Sequence, residues 1–547
     1  MIQKDFEALR EELRNDLETK DWRKAVIVLS HFEQLDGGRQ KLVLLDLSRG
    51  DADFVLPLLI TFAGAHPQIY EQQPMLRGML LSKAIDYPDL LIKSMSALET
   101  KNKIFCIEIL GEIRSEQAVP HLLEMLTSAG EPELFKAVID TLGLIGISDA
   151  VSLISDFLYV DNRELVVAAV RALGKIAAPS AMFRLAERVG GDHDLDKLIL
   201  EVFSEVQDNT ALKKLSETIA SHHAHMRSLA KKLLVRIGAK SVPFIIENLR
   251  CDDVDLQINS LNVLGDIGDM SASAPIRKLL QSGAKNANVR FAAYEALSFM
   301  PEVQGAYVLA AGLLDPVEHV RIAAARAVDR NYNEVLGLGM RNMVQMKNED
   351  SQRIISTILL AQADKIFLDL IDETVFQQTA VELLSKVHKD LRDHYVALLA
   401  ARGFKELAGK IMPEQAGQTR RPRACAVDDS RMILGIYKHS LHQLGIEPVV
   451  FEFPASALEW LKKEKPDIVF TDLNMPEMTG IDLTREIRKI YSVQELPVIM
   501  VTTQSDVQDH EAARAAGVST IIFKPFDTAA LKQCVAAFCP DKTSRKG

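Results

Sequence analysis

A short motif, Leu-Gly-x-Ile, recurs at a regular interval between residues 110 and 331 and limits what this part of the chain can fold into. Full copies begin at Leu110, Leu142, Leu173 and Leu264, and degenerate copies begin at Phe203, Leu234, Leu297 and Val328. Successive copies lie 32, 31, 30, 31, 30, 33 and 31 residues apart. Two helices joined by short turns occupy a length of this order. We therefore predict a stack of helical hairpins.

The apolar spacing inside one copy supports this interpretation. Apolar residues recur at helical intervals before a turn at 130–132 and again after it: Val119, Leu122, Leu123 and Leu126, then Phe135, Val138, Ile139, Leu142 and Ile145. Prolines at 120, 243 and 275 suit the first turn of a helix, where the missing N–H is tolerated. Because one hairpin cannot bury both apolar faces, the copies must stack into a curved rod with a long concave surface.

This region resembles HEAT or HEAT-like repeats. The pairs Val289-Arg290 and Val320-Arg321, each followed by Ala-Ala-x-x-Ala, are typical of that family. The resemblance covers about residues 100–335, and the flanks 1–101 and 334–410 are interpreted as divergent repeats or end caps. An ordinary helical bundle is the alternative, and the steady period disfavours it.

The pattern changes near residue 412. The segment 412–423 is polar and lacks apolar periodicity, which predicts a linker. Short β-branched runs then alternate with helical segments, and the five predicted strands are 424–427, 448–453, 467–471, 497–501 and 520–523. Five such units predict a doubly wound five-stranded parallel sheet with helices on both faces. The expected domains are therefore an all-α helical-hairpin solenoid at 1–411, the linker, an α/β domain at 424–540 and a tail at 541–547.

Polar side chains follow the predicted strands at one edge of this sheet. Asp428 and Asp429 follow the first strand, Asp472 the third, Thr502 the fourth and Lys524 the fifth. Three neighbouring carboxylates repel one another unless a divalent cation neutralises them, and all-oxygen ligation favours Mg²⁺. A lysine and a hydroxyl beside such a metal match the needs of phosphoryl transfer.

This stretch is similar to the receiver domain of two-component response regulators. The matching residues are Asp428-Asp429, the segment 472–480 (DLNMPEMTG), Val501-Thr502 and the segment 523–526 (FKPF), in the order and spacing of that family over about residues 422–540. Each motif alone is weak evidence for this family, whereas their combination is specific to it. The resemblance implies a flavodoxin-like fold and membership of a phosphorelay.

The resemblance also implies how the acidic residues act. Asp472 would accept a phosphoryl group from a phosphohistidine on a sensor histidine kinase and form an acyl phosphate. Asp429 and Asp472 would ligate Mg²⁺ directly, the backbone carbonyl of Asn474 would complete the protein ligands, and Asp428 would assist through water. No catalysis is expected beyond this phosphorylation of the receiver and its reversal.

The remaining motif residues would contact the phosphoryl group or tune the switch. Lys524 would pair with the phosphoryl oxygens, and the hydroxyl of Thr502 would turn inward to bind one of them. Asn474 and Gln504 occupy the positions where the family tunes hydrolysis of the acyl phosphate. Ile521 is a departure, because many receivers have an aromatic ring there that moves with the threonine, and this leaves the route to the output face open.

Composition and local sequence also bear on the cellular compartment of the protein and on what it can bind. The net charge of −11 and the pI near 5.7 argue against attachment to nucleic acid or anionic membranes, because a negatively charged protein repels phosphates. The basic cluster at 420–423 is short and holds only three arginines. The five cysteines form no C-x-x-C pair. The apolar run 54–65 is too short to span a bilayer, and 1–16 lacks the apolar core of a secretory signal. We expect a cytoplasmic protein without a membrane span.

The order of the two regions shapes the functional hypothesis. Only seven residues follow Pro540, so we expect the output to be the repeats or the receiver's own surface. The leading hypothesis is a scaffold whose binding of an unknown protein partner changes when Asp472 is phosphorylated. A second reading makes the receiver a phosphate sink or relay that the repeats merely localise.

A third reading treats the repeats as an enzyme. Some HEAT-like proteins are lyases acting on bilin chromophores, and others carry di-iron sites built from His-Glu pairs. The one His-Glu dipeptide here, His510-Glu511, lies in the receiver and argues against such an iron site. The tract 222–225 (HHAH) is a possible metal site, but it has no interleaved acidic residues.

Overall fold

The computed structural model describes residues 2–221, 223–300, 306–345, 349–387, 389–411, 422–473, 475, 477–502, 507–523, 526 and 528–539. The chain divides into two compact units, Met1–Lys214 and Leu215–Gly547. Three predicted site residues, Asn474, Gln504 and Lys524, lie outside the described residues. So do positions 412–421 of the predicted linker and the predicted tail.

The first unit is built of helices, as the repeat pattern predicts. They are α1 (Ile2–Thr19), α2 (Trp22–Ser30), α3 (Gly37–Arg49), α4 (Ala52–Ala65), α5 (Pro67–Gln72), α6 (Pro74–Asp86), α7 (Pro88–Ser94), α8 (Thr100–Glu112), α9 (Val119–Thr127), α10 (Pro132–Ile145), α11 (Val151–Asp156), α12 (Arg163–Ile176), α13 (Pro179–Arg188) and α14 (His193–Val206). Helix α15 (Asn209–Thr218) contains the boundary between the units. The Leu-Gly-x-Ile motif forms the last turn of the second helix in a hairpin, as in α10 and α12.

The glycine of the motif allows neighbouring second helices to approach closely. A Cβ at Gly143 of α10 would lie 2.7 Å from the Cα of Ala172 in α12, and one at Gly174 would lie 2.7 Å from Cγ1 of Val202 in α14. Each partner is the residue just before the next copy of the motif. The recurring glycine is therefore a packing device, since no larger residue fits at this separation without a shift.

The same helices end in the left-handed conformation. The residue after the motif has a positive φ at Gly146 (85°), Ala177 (52°) and Gln207 (54°). At each of these positions the backbone N–H donates to the carbonyl four residues earlier and closes the last turn, at 3.0 Å in all three. Glycine adopts this conformation freely, whereas Ala177 and Gln207 hold it with a Cβ present.

The second unit continues with helices and ends in the α/β domain. Its helices before that domain are α16 (Ala224–Ile237), α17 (Val242–Asn248), α18 (Val254–Ile267), α19 (Ser273–Gln281), α20 (Ala287–Ser298), α21 (Ala306–Ala311), α22 (Glu318–Arg330), α23 (Glu334–Gln345), α24 (Glu349–Ala361), α25 (Asp364–Leu370), α26 (Thr374–Lys386), α27 (Lys389–Ala401) and α28 (Lys405–Ile411). A Cβ at Gly265 of α18 would lie 3.0 Å from the Cα of Ala296 in α20, so the close approach recurs here.

The arginines of the Val-Arg pairs fasten the loop before α22. Arg290 donates to both carboxylate oxygens of Asp315, from Nε to Oδ2 at 2.7 Å and from Nη2 to Oδ1 at 3.0 Å. Arg321 donates from Nη1 to the carbonyl oxygens of Asp315 (2.8 Å) and Pro316 (3.1 Å). Helices α20 and α22 thus hold one turn through charge-assisted bonds.

The α/β domain contains the predicted parallel sheet. Its strands are β1 (Arg423–Val427), β2 (Glu447–Phe451), β3 (Ile468–Asp472), β4 (Val498–Thr502) and β5 (Thr520–Phe523), in the order β2-β1-β3-β4-β5 with every pair parallel. Helices α29 (Arg431–Gln443), α30 (Pro454–Leu461), α31 (Gly480–Arg488), α32 (Val507–Ala515) and α33 (Thr528–Phe538) alternate with the strands. The central strands are buried throughout, as expected for a sheet covered on both faces.

Two layers of apolar side chains fix the helices on the sheet. Helices α30 and α31 pack on β1, β3 and β4 through a core that includes Leu461, Val469 and Ile487. Helix α32 contributes Ala513 to a smaller cluster with Met500. On the opposite face, the ring of Tyr437 in α29 lies 5.5 Å from that of Phe470 in β3. The packing of these helices on the sheet thereby fixes the strand ends and loops at its carboxyl edge.

Two further features concern the apolar helices and the cysteines. Within the described residues, no helix combines the length and hydropathy needed to cross a membrane. The apolar run 54–65 falls in α4, where most of its side chains are buried. All five cysteines are free thiols.

Candidate functional site

Three carboxylates converge at the carboxyl edge of the sheet. Asp428 and Asp429 follow β1, and Asp472 ends β3, which pairs with β1 in the register Val427 with Thr471. One oxygen from each carboxylate lies within 4.8 Å of the other two. In the part of the chain that the structure describes, no other group of three or more His, Cys, Asp or Glu side chains could hold a metal ion. The structure therefore brings together the three acidic residues predicted from the sequence.

Two of the three carboxylates are buried, which makes the charge of the cluster costly. Asp428 is fully buried and Asp472 is 6% exposed. The backbone N–H of Ser430 donates to Oδ1 of Asp428 at 2.9 Å and holds that carboxylate in place. Because all the donors are carboxylate oxygens, the site suits a hard divalent cation such as Mg²⁺ and does not suit a soft one.

Gly480 determines where Asp472 can lie. A Cβ at this position would collide with the carbonyl oxygen of Asp472, and the N–H of Gly480 donates to the carbonyl of Leu473 at 2.9 Å. The turn between them includes Glu477, whose φ is 69°. Sequence reasoning placed Gly480 in the motif but gave it no role. Its role is to let α31 begin directly against the backbone of Asp472.

Thr502 and Ile521 lie where the sequence predicts. Thr502 ends β4, is 1% exposed and follows Val501, the register partner of Asp472. Ile521 lies on β5, pairs with Met500 and packs against the cluster that includes Leu473. An aliphatic side chain thus fills the position of the family's ring and forms part of the core.

Tyr437 lies under the acidic cluster and was not singled out from the sequence. Its hydroxyl is buried and has no hydrogen-bond partner among the described residues. Burial raises the pKa of this phenol well above its ordinary value, and the charges of Asp428 and Asp472 raise it further. Its ring also lies 5.0 Å from that of Phe526 in a tilted arrangement, and the raised pKa keeps the phenol neutral beneath the site.

Two cations from the helical repeats also face the cluster. Nη2 of Arg227 lies 3.9 Å from Oδ2 of Asp429, and these side chains are 17% and 14% exposed. Lys231 lies one turn further along α16, on the same helix face. Burial lowers the pKa of Lys231, while the charges of Asp429 and Asp428 act in the opposite direction. Nothing in the sequence pointed to this pairing, because it joins residues far apart in the chain.

The histidine tract gains no support as a metal site. His222 lies outside the described residues, and the rings of His223 and His225 stack 5.8 Å apart. Neither belongs to a group of potential ligands in the described part of the chain.

Comparisons with known proteins agree with both resemblances. The model of the response regulator receiver domain family matches residues 424–536, and that of HEAT repeats matches 88–174 and 242–329. Chemotaxis protein CheY1 of Helicobacter pylori is 37% identical over 110 residues, which are 20% of this chain and 88% of CheY1. CheY-3 of Vibrio cholerae is 40% identical over 108 residues, 20% of this chain and 83% of CheY-3. The crystallised CheY4 of Vibrio cholerae is 27% identical, covers 22% of this chain and 99% of its own, and superposes with a TM-score of 0.21.

Proposed function

This chain belongs to the response regulator family through its receiver domain, and on that premise we propose that Asp472 accepts a phosphoryl group and that the HEAT repeats convey the change to a protein partner. The observation that carries the proposal is the convergence of Asp428, Asp429 and Asp472, of which Asp428 and Asp472 are buried. The proposed donor is a phosphohistidine of a sensor histidine kinase. We propose the cytoplasm as the compartment, 1–411 as the scaffold domain and 424–540 as the receiver domain.

The chemistry is an exchange of one phosphorus bond for another. A carboxylate oxygen of Asp472 attacks the phosphorus of the phosphohistidine. A P–O bond forms as the P–N bond breaks, and the imidazole nitrogen leaves with the electron pair and takes up a proton. Water later cleaves the acyl phosphate and restores the carboxylate with release of inorganic phosphate. The chain's own task is to hold Asp472 in place, which β3 and Gly480 do.

The acidic residues would hold Mg²⁺, which supplies charge neutralisation on the transferring oxygens. Asp428, Asp429 and Asp472 are the carboxylates that fit this role, with the Asn474 carbonyl as the proposed further ligand. Ser430 orients Asp428 through its backbone N–H. The fully buried position of Asp428 keeps that carboxylate from rotating away from the site.

Thr502 and Lys524 are the proposed contacts to the phosphoryl oxygens. Thr502 is buried at the end of β4, one residue beyond the partner of Asp472, so an inward turn of its hydroxyl would reach the site. Ile521 is partly buried against the cluster that includes Leu473 and offers no ring to move. The proposed switch therefore depends on Thr502, with Asn474 and Gln504 tuning hydrolysis.

The proposal is tested by phosphorylation of the full chain. We expect acetyl phosphate with MgCl₂ to add one phosphoryl group to the wild type, as read by intact mass, and to add none to Asp472→Asn. Asp482→Asn is the matched control, because this carboxylate is exposed on α31 and lies outside the acidic cluster. A wild type that stays unmodified when hydrolysis is suppressed, or an Asp472→Asn variant that is modified equally, would contradict the proposal.

The scaffold role is tested by affinity capture with and without beryllofluoride, a stable mimic of the phosphoryl group. We expect a protein whose recovery changes with beryllofluoride on the wild type and does not change on Asp472→Asn. Recovery that is the same in all four conditions would instead favour a phosphate sink.

A further inference from the structure

The receiver turns its phosphoacceptor edge toward three helices of the repeats. Arg227 and Lys231 of α16 face the acidic cluster, as described above. A Cβ at Gly435 of α29 would stand 3.5 Å from Cζ of Phe291 in α20, an ordinary packing distance. All of these residues belong to the second compact unit. The receiver and the repeats are therefore in direct contact beside the site.

A second contact lies on the other side of the edge. A cleft of about 440 Å³ has receiver residues on one wall and, on the other, the first residues of α20 with the turn and first residues of α22. The receiver side consists of Phe523 at the end of β5, Phe526, and Ala530 of α33. The receiver thus faces α16, α20 and α22 of the repeats. A phosphohistidine must approach Asp472 from this same edge.

The charges at the site indicate how the contact between α16 and the acidic cluster affects metal binding. Arg227 and Lys231 are basic side chains beside three carboxylates, and when both are protonated they carry the same charge as a divalent ion. Arg227 is paired with Asp429, one of the carboxylates that fit a metal. The 3.9 Å separation is an ion pair and not a hydrogen bond, and Arg227 also donates from Nη1 to the carbonyl oxygen of Ser221 at 3.0 Å. Two cations and a divalent ion cannot all be neutralised by this cluster.

We propose that helix α16 and Mg²⁺ compete for the carboxylates of the receiver, so that the repeats hold the receiver in a closed state that resists phosphorylation. This inference rests on the proposed function, because it concerns the same acidic cluster. By linkage, metal binding weakens the contact to α16 by as much as that contact weakens metal binding. The repeats are then an inhibitor of their own receiver as well as a scaffold.

The test compares two charge-matched double variants of the full chain. Arg227→Gln with Lys231→Met removes the two cations at the site. Lys232→Met with Arg236→Gln removes two charges from the same helix and serves as the control. We expect the first variant to bind Mg²⁺ about tenfold more tightly than the wild type by titration calorimetry, and the control to differ by less than about twofold. Phosphorylation by acetyl phosphate should be faster in the first variant.

Other outcomes separate the two proposals. Equal Mg²⁺ affinity in all three proteins, or weaker binding and slower phosphorylation in the first variant, overturns the competition. If none of the three proteins binds Mg²⁺, the proposed function fails and the competition fails with it. A measurement on the wild type alone avoids any folding defect of the variants: Mg²⁺ with beryllofluoride should increase hydrogen exchange of α16, and unchanged exchange overturns the inference.

Discussion

The repeats and the receiver each use glycine to bring two segments of backbone together, but they do so with different consequences. In the repeats the close approach recurs, as at Gly143, Gly174 and Gly265, and each glycine meets the next copy of the same motif. In the receiver, Gly480 meets the carbonyl oxygen of the residue proposed to carry the phosphoryl group. A helix pair in a stack can adjust by a small shift, whereas the acidic cluster must keep its three carboxylates in a single arrangement.

This difference shows that stability and chemistry are distributed differently in the two regions. Repeats spread their stability over many similar junctions, each of which interacts only with its neighbours. The receiver concentrates its chemistry in one cluster of side chains at one edge of the sheet. We therefore expect the same kind of glycine substitution to have a graded local effect in the repeats and a severe effect in the receiver.

Gly480→Ala should produce the largest effect. The added Cβ collides with the backbone of Asp472, so α31 or β3 must move, at a cost of about 3 kcal/mol. Displacement of Asp472 should slow phosphorylation by acetyl phosphate at least about tenfold. Gly409→Ala in α28 is the control, because the new Cβ meets no atom within 4 Å. A Gly480→Ala variant phosphorylated as fast as the control would remove the contrast between the two regions.

Gly143→Ala should produce an intermediate effect confined to the first unit. Its Cβ would lie 2.7 Å from the Cα of Ala172, so α10 and α12 must separate, at a cost of about 2 kcal/mol. Native-state hydrogen exchange of these two helices measures that local cost. Gly78→Ala in α6 is the control, because its Cβ meets no atom within 4 Å and should stabilise the helix by about 1 kcal/mol. Equal exchange in the two variants would show that the close approach is not needed.

Ala177→Gly should produce the smallest effect, with the opposite sign. The exposed Ala177 has a φ of 52°, and removal of its Cβ relieves the cost of that conformation. We expect a gain of about 0.5 kcal/mol, because the greater freedom of glycine in the unfolded chain offsets part of the relief. Slower hydrogen exchange at the end of α12 measures the gain. Faster exchange would mean that the repeat tolerates alanine there without strain.

Much of the fold could be predicted because the signals are local. The five predicted strands differ from those observed by at most two residues at either end, and the hairpin at 119–145 contains the two predicted helices. Buried β-branched runs and a repeated glycine depend on short stretches of sequence. The acidic cluster could be predicted for the related reason that parallel strands place their carboxyl ends at one edge.

The contacts that the sequence did not reveal are those between distant segments. Arg227 and Lys231 look like ordinary charged residues of a helix, and only the tertiary structure brings them to Asp429. The division of the chain after Lys214 was also not foreseen, because the repeat spacing is uniform across it. The role of Gly480 required the position of a carbonyl oxygen that no sequence pattern specifies.

The uniform junctions have a consequence for how such a chain can change during evolution. Gly143 meets Ala172 in the same way that Gly265 meets Ala296, so these two junctions are chemically interchangeable. Duplication or loss of a whole copy by recombination that joins such junctions leaves the glycine opposite an alanine. Array length can therefore vary among descendants while the signalling domain at the end of the chain is inherited intact.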